Sequence, residues 1–193
     1  MQKKDEFKEI LVNHFNKQGN KAFQGYGSLS FLKSWQEPYI YMEKYLNSKN
    51  LKDTNFLDYC CGTGIHSIYP AKLGAQVTGI DFSSSSIESA KERSKFFNVE
   101  DKCQFLVQDA EESISFQQKF DYIICVQSLL YLDINETFSK LSKLLKDQGE
   151  LIIIESVSGN YFFDLNRVKN TKNISHKFSS SLNKLHSKEI IKN

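Results

Sequence analysis

Long apolar runs are missing from this chain. No stretch of 18 consecutive apolar residues occurs in its 193 residues, so no membrane-crossing helix is expected. The first residues, Met1-Gln2-Lys3-Lys4-Asp5-Glu6, lack the apolar core of a secretory signal. The cysteines are few (Cys60, Cys61, Cys103 and Cys125), have no C-x-x-C spacing and sit mostly inside apolar runs. They read as reduced, buried residues of a cytoplasmic protein, and no metal site is expected. Proline is nearly absent too, with only Pro38 and Pro70 to break helices.

What is present is ordinary for a globular domain: 40% hydrophobic and 25% charged residues. The length predicts a single domain with a real core. The net charge of +2 hides an uneven distribution. Residues 1–50 carry 8 lysines against 5 acids, residues 51–157 carry 10 basic against 16 acidic groups, and residues 158–193 carry 7 against 2. This divides the chain into an N-terminal helical cap (1–50), an acidic α/β core (51–157) and a basic C-terminal segment (158–193) of the same domain. The basic segment suits either an anionic partner or a solvated surface.

The chain is organised around residues 56–64, Phe-Leu-Asp-Tyr-Cys-Cys-Gly-Thr-Gly. A short apolar run ends in an acid, turns through Gly62-Thr63-Gly64 and enters a stretch with helical spacing. That is a strand, a glycine turn and a helix start, where backbone approaches a ligand closely and unpaired N–H groups face it. Seventeen residues past Gly64 a second run ends in Asp81, followed by Phe82. An acid at that strand tip is placed to accept hydrogen bonds from a ribose diol. The dinucleotide fingerprint G-x-G-x-x-G fails, because Ser67 stands where the third glycine belongs. Asp58, just ahead of the turn, also opposes a pyrophosphate and suits a ligand with a cationic amine and sulfonium.

These residues resemble motif I of class I S-adenosylmethionine-dependent methyltransferases, acid-x-Gly-x-Gly-x-Gly, with Cys60 in place of the first glycine. The resemblance implies a doubly wound, mostly parallel α/β sheet and S-adenosyl-L-methionine as cofactor. It further implies contacts from Asp58, Cys60, Gly62, Thr63, Gly64, Asp81 and Phe82, from Asp109 and Ala110 toward the adenine, and from Gln127 after the fourth strand. Because Gly62 and Gly64 already make the turn, Cys60 is expected to belong to the strand end with ordinary backbone geometry. Residues 155–167 resemble a segment of methyltransferase-domain proteins encoded near sugar and polysaccharide genes, which implies a sugar or related small-molecule acceptor.

The remaining pattern fits. Residues 5–17 and 35–46 predict two helices, the second started or interrupted at Pro38. In this family such helices lie over the cofactor, so Tyr26 or Tyr39 either touches the ligand or merely covers the sheet. Residues 65–73 predict a helix closed by Gly74, with Pro70 kinking or shortening it. His66, in its first turn, either reaches the ligand or is a polar surface residue. Ser83 or Ser84 caps a helix to Phe97, with Ile87, Ala90, Ser94 and Phe97 on one face. Residues 103–108, 120–126 and 151–154 predict strands three to five. Asp109 either binds adenine or caps its turn. Asn135 or Asp133 caps a helix with a Phe138, Leu141, Leu144 and Leu145 stripe, which Gly149 terminates.

No residue after Ser156 alternates as a strand, so the sheet is expected to lack the C-terminal hairpin of the complete fold. Its fifth strand would then be an exposed edge, favouring a homo-oligomer or a non-catalytic scaffold. A nicotinamide oxidoreductase is the other alternative. For methyl transfer the general base is unassigned among His14, His176, Asp133 and Glu155. A nucleic-acid partner is not expected.

Overall fold

The computed structural model describes residues 12–13, 16–17, 33–112 (33–37 as backbone only) and 116–155. Five parallel strands form one sheet: β1 (Asn55–Tyr59), β2 (Gln76–Asp81), β3 (Cys103–Val107), β4 (Phe120–Val126) and β5 (Leu145–Ile154), in the order β3-β2-β1-β4-β5. The helices are α1 (Lys33–Asn47), α2 (Ile68–Lys72), α3 (Ser84–Phe96) and α4 (Ile134–Leu144). Every strand pairing among the described residues is parallel. A parallel sheet is covered on both faces, which accounts for the near-continuous apolar runs of β1 and β4.

Alternation along β1 divides the core. Phe56 joins Met42, Leu46, Val77 and Ile124 on one face, while Leu57 and Tyr59 join Ile80, Ile123 and Leu141 on the other. Because β1 pairs with β2 on one side and β4 on the other, the strand order reverses at β1. In such sheets that reversal opens a crevice at the carboxyl ends of the strands.

Several elements differ from expectation. Helix α1 runs through Pro38 rather than starting or breaking there. The missing N–H costs one helical bond, but Met42 and Leu46 then bury completely against the sheet. The same helix is fastened to β5, where the Tyr45 hydroxyl donates to Glu150 and Lys49 Nζ lies 2.7 Å from Glu150 Oε1. Helix α2 begins at Ile68, three residues later than its pattern predicts, so Pro70 falls in the first turn, where no N–H is required. Gly149 does not end α4. That helix passes directly into β5 at Leu145, which pairs with Phe120, and the next paired residue is Glu150, opposite Tyr122. Residues 146–149 are thus accommodated opposite the single residue Asp121, and a Cβ on Gly149 would lie 2.9 Å from the Phe120 carbonyl oxygen. On α4, Phe138 is exposed and Thr137 is buried in its place beside Leu141.

Other assignments match the structure. Ser83 caps α3, its side chain accepting from the Ser86 N–H, and Asp133 caps α4 by accepting from the Glu136 N–H. Ile87, Ala90 and Ser94 are buried. Residues 12–13 and 16–17 are helical, within the predicted first helix. The expected lack of a C-terminal strand hairpin after Ser156 falls on residues outside the described ones. Among the described residues no helix is long and apolar enough to cross a membrane.

Gly79, in the middle of β2, tests how tightly this sheet is covered. A Cβ there would meet Phe105 Cδ1 at 2.6 Å and Cys61 Sγ at 3.0 Å, and Phe105 is itself buried. Gly79→Ala is expected to cost about 1–3 kcal/mol of stability, read as a lower urea midpoint. An unchanged midpoint would mean that Phe105 swings aside freely.

Candidate functional site

The site grows from the end of β1. After Tyr59 the backbone enters the left-handed region three times within five residues, at Cys60 (φ 61°), Gly62 (φ 51°) and Gly64 (φ 70°). The turn is stitched down by Cys61 N–H to Ile80 O (2.8 Å) and Gly64 N–H to Cys61 O (2.9 Å). The two glycines do different work. A Cβ on Gly64 would lie 2.8 Å from Ala90 Cβ, so Gly64 lets α3 pack against the turn; a Cβ on Gly62 would meet nothing within 4 Å, so Gly62 borders open space. Cys60 contradicts its expectation. It lies beyond the strand end, in a conformation that a side chain disfavours. Its thiol packs among the core residues beneath, and burial pushes that thiol well above the ordinary range, with Cys125 adding to the shift.

Asp81, at the tip of β2, bridges two elements. Its Oδ2 accepts from the Gly62 N–H and its Oδ1 from the Ser83 N–H, both at 2.9 Å. Burial raises its pKa against the pull of those two bonds. A carboxylate has about four acceptor positions, so two backbone bonds orient Asp81 and leave capacity for hydroxyl donors. Phe82 is half-buried beside it.

Asp58 lies beneath the turn, 1% exposed, and accepts from Ser67 Oγ at 2.6 Å. Burial pushes its pKa up to about 7; the Ser67 bond opposes the shift and the neighbouring Asp81 adds to it. Its charge therefore reaches the crevice through the protein interior. Thr63 is held by its carbonyl, which accepts from Arg93 Nε of α3 at 2.9 Å.

Past β3, Asp109 Oδ1 accepts from the Glu111 N–H at 2.8 Å, so the turn-capping role is present. Ala110 is buried in the core, and its carbonyl accepts from the Tyr59 hydroxyl (2.7 Å) and Lys140 Nζ (3.1 Å). Gln127 is exposed at the end of β4 with φ 53°, its N–H donating to Ile154 O at 2.7 Å. His66 stacks on Tyr39 of α1, with ring centroids 5.0 Å apart. Burial, and then the charge of Arg93, push its pKa down to about 4, so this imidazole is neutral near pH 7. Of the candidate bases, Asp133 caps α4 and Glu155 Oε2 accepts from the Leu129 N–H at 2.8 Å. His14, His176 and Tyr26 lie outside the described residues.

The structure thus gathers Asp58, Cys60, Gly62, Thr63, Gly64, Asp81, Phe82, Asp109 and Gln127 at the carboxyl ends of β1 to β4 and draws Ala110 into the core. Sequence reasoning missed Ser67, Arg93, Tyr59 and Lys140, which hold these residues in place. Arg93 alone left a signal: it stands three residues after Ala90, on the buried side of α3.

Comparison with known proteins agrees with this geometry. Residues 50–192 match the family described as "Methyltransferase domain". YqeM of Bacillus subtilis, named as a methyltransferase, is 33% identical over 135 residues, covering 67% of this chain and 53% of that protein. The ubiquinone biosynthesis O-methyltransferase of Coxiella burnetii is 35% identical over 112 residues, 56% of this chain and 46% of that one. The crystal structure of a methyltransferase from Thiobacillus denitrificans in complex with S-adenosyl-L-homocysteine superposes with a TM-score of 0.53 at 25% identity, covering 61% of this chain and 47% of the other. The chain spans about half the length of these relatives.

Two predictions follow from the buried groups. Cys60→Gly and Cys60→Ala both lose the thiol, so comparing them isolates the backbone. The glycine variant is expected to be the more stable by about 1 kcal/mol, whereas alanine would win if φ here were negative; thermal melts distinguish the two. For Asp58 the folded pKa lies above the unfolded value, so the folded state keeps a proton that the unfolded chain releases between about pH 4 and 7. Stability from this group is full below that window and lost as pH rises through about 7. Asp58→Asn is expected to gain on the parent between pH 5 and pH 8 in denaturation curves; a pH-independent difference would refute the assignment.

Proposed function

The chain belongs to the methyltransferase-domain family, and we propose that it binds S-adenosyl-L-methionine and transfers the methyl group to a hydroxyl-bearing small molecule. The observation that carries this reading is the glycine turn whose Gly62 borders open space while Asp81 is fixed beside it. The residues present fit the cofactor. Gly62 and Thr63 would pass beneath its amino-acid end, Asp81 would accept from its ribose hydroxyls, and Asp109 and Phe82 would flank its adenine. Asp58 and Asp81 are the buried acids at the turn and favour a cation, while the buried Arg93 is turned to the Thr63 carbonyl.

Bound there, the cofactor supplies an activated methyl group on a positively charged sulfur. The protein's own part is to orient that group against the acceptor and exclude water. Resemblance of residues 155–167 to proteins encoded near sugar genes supports a sugar or related metabolite as acceptor, and the Coxiella burnetii relative, by its name, transfers to oxygen.

Titration calorimetry tests the reading directly. The parent is expected to bind S-adenosylmethionine and S-adenosylhomocysteine and to ignore NAD. Asp81→Ala should weaken cofactor binding by about ten- to a hundredfold, roughly 1.5–3 kcal/mol. Asp81→Asn should also weaken it, since an amide sets an N–H₂ against one of the two backbone donors that the carboxylate bridges. Tight NAD binding without S-adenosylmethionine binding would overturn the proposal.

A further inference from the structure

The loop that follows β3 is held from two directions. Ala110 is buried, and its carbonyl accepts from the Tyr59 hydroxyl at 2.7 Å and from Lys140 Nζ at 3.1 Å. Lys140 Nζ also donates to the next carbonyl, that of Glu111. One donor belongs to the last residue of β1 and the other to α4, so two distant elements meet at one loop. Both are firmly based. Tyr59 is fully buried, and Leu141, next to Lys140, is buried in the same core cluster. Burial raises the pKa of the Tyr59 phenol, and the neighbouring thiols add to the shift, so the hydroxyl keeps its proton and donates.

The Ala110 carbonyl and the Glu111 N–H are the two ends of one peptide unit. That unit is planar and trans, so its C=O and N–H point in opposite directions. The carbonyl end is taken by Tyr59 and Lys140, and the N–H end donates to Asp109 Oδ1 at 2.8 Å. The Asp109 carboxylate therefore takes its direction from a peptide whose orientation Tyr59 and Lys140 fix. Were that peptide to turn over, its carbonyl would leave both donors and its N–H would leave Asp109. A buried carbonyl stripped of its donors is unfavourable, so the clamp selects one orientation of the two.

We propose that Tyr59 and Lys140 are positioning residues for base selectivity: by fixing the Ala110–Glu111 peptide they aim Asp109 at the amino group of adenine. The inference rests on the S-adenosylmethionine reading above, in which Asp109 flanks the adenine. An oriented carboxylate discriminates because the amino group gives it a charge-assisted hydrogen bond that a bare ring C–H does not. Tyr59 is enclosed in the core and the Lys140 ammonium is engaged by two carbonyls, so each acts through the loop rather than on the ligand. Selectivity for the base is thus set by residues of β1 and α4 that lie behind the loop.

S-adenosylhomocysteine and its analogue with unsubstituted purine in place of adenine differ only in the amino group, and titration calorimetry gives the ratio of their affinities. The parent is expected to prefer the adenine ligand by about ten- to a hundredfold, as a hydrogen bond to a carboxylate warrants. Lys140→Met and Tyr59→Phe should each lower that ratio several-fold, by weakening the adenine ligand while the purine ligand binds as before. Lys140→Arg keeps a cationic donor and should recover part of the preference. In an Asp109→Ala background, where the preference is already lost, Lys140→Met should change the ratio no further. Lys140 is half-buried on α4, so its variants decide the matter even where Tyr59→Phe unfolds. A merely structural tether would weaken both ligands alike in Lys140→Met and leave the ratio unchanged. That result, the same fall in ratio without Asp109, or a parent that binds both ligands equally would each overturn the inference while leaving the cofactor reading intact. A parent that binds neither ligand would overturn the cofactor reading itself.

Discussion

One carboxylate joins the parts of the site. Asp81 ends β2, and its two oxygens take the N–H groups of Gly62 in the glycine turn and of Ser83 at the start of α3. The glycine turn is thereby tied to the corner between β2 and α3 through a single side chain, so the turn cannot shift without breaking a charge-assisted bond in a buried place. The Arg93 bond to Thr63 O holds the same turn from the far end of α3. The turn's own backbone opposes this order, since Cys60 adopts a left-handed conformation that only glycine takes readily. The turn is held by its surroundings more than by its local preferences.

The second consequence is electrostatic. Asp58 and Asp81 lie close enough for one charge to raise the pKa of the other, and Asp58 has a neutral hydroxyl donor, Ser67, as its hydrogen-bond partner. Buried acids so arranged favour a cation in the adjoining crevice, because positive charge there stabilises both ionised forms. Such a preference fits a ligand with a sulfonium and an ammonium and opposes one with a pyrophosphate. Burial raises the thiols of Cys60, Cys61, Cys103 and Cys125, which disfavours the nucleophilic thiolate form.

Helix α1 links these features to the other side of the sheet. Its lower half is fastened to Glu150 in β5 through Tyr45 and Lys49, and Met42 and Leu46 bury between. Its upper half brings Tyr39 against His66. The same helix thus covers one face of the sheet and delivers an aromatic ring to the edge of the crevice. A side chain that covers and one that contacts a ligand belong here to one amphipathic element, which is why Tyr39 admitted both readings. At the carboxyl edge, Asn16 from the N-terminal segment receives hydrogen bonds from Ser83 and Ser85, so the cap also meets the start of α3.

Local pattern carried the sequence a long way. Short runs with apolar residues ending in Asp58, Asp81 and Asp109 marked strands, and parallel strands carry such runs because they bury both faces. Gly62-Thr63-Gly64 marked the turn, and Ser83 marked a cap, because these residue types satisfy local backbone geometry with little help from elsewhere. Given the order β3-β2-β1-β4-β5, the place of the crevice follows from the rule for such sheets. What the sequence could not determine was set by contacts between distant segments. Cys60 takes a positive φ because the turn is drawn to Asp81, Gly62 and Gly64 notwithstanding; α1 continues through Pro38 because Met42 and Leu46 bury; and Gly149 sits within β5 because the Phe120 carbonyl leaves no room for a Cβ. The protonation of Asp58 and His66 is likewise tertiary, since a pKa depends on the solvent and charges that folding removes or brings near, and neither is written in the neighbouring residues.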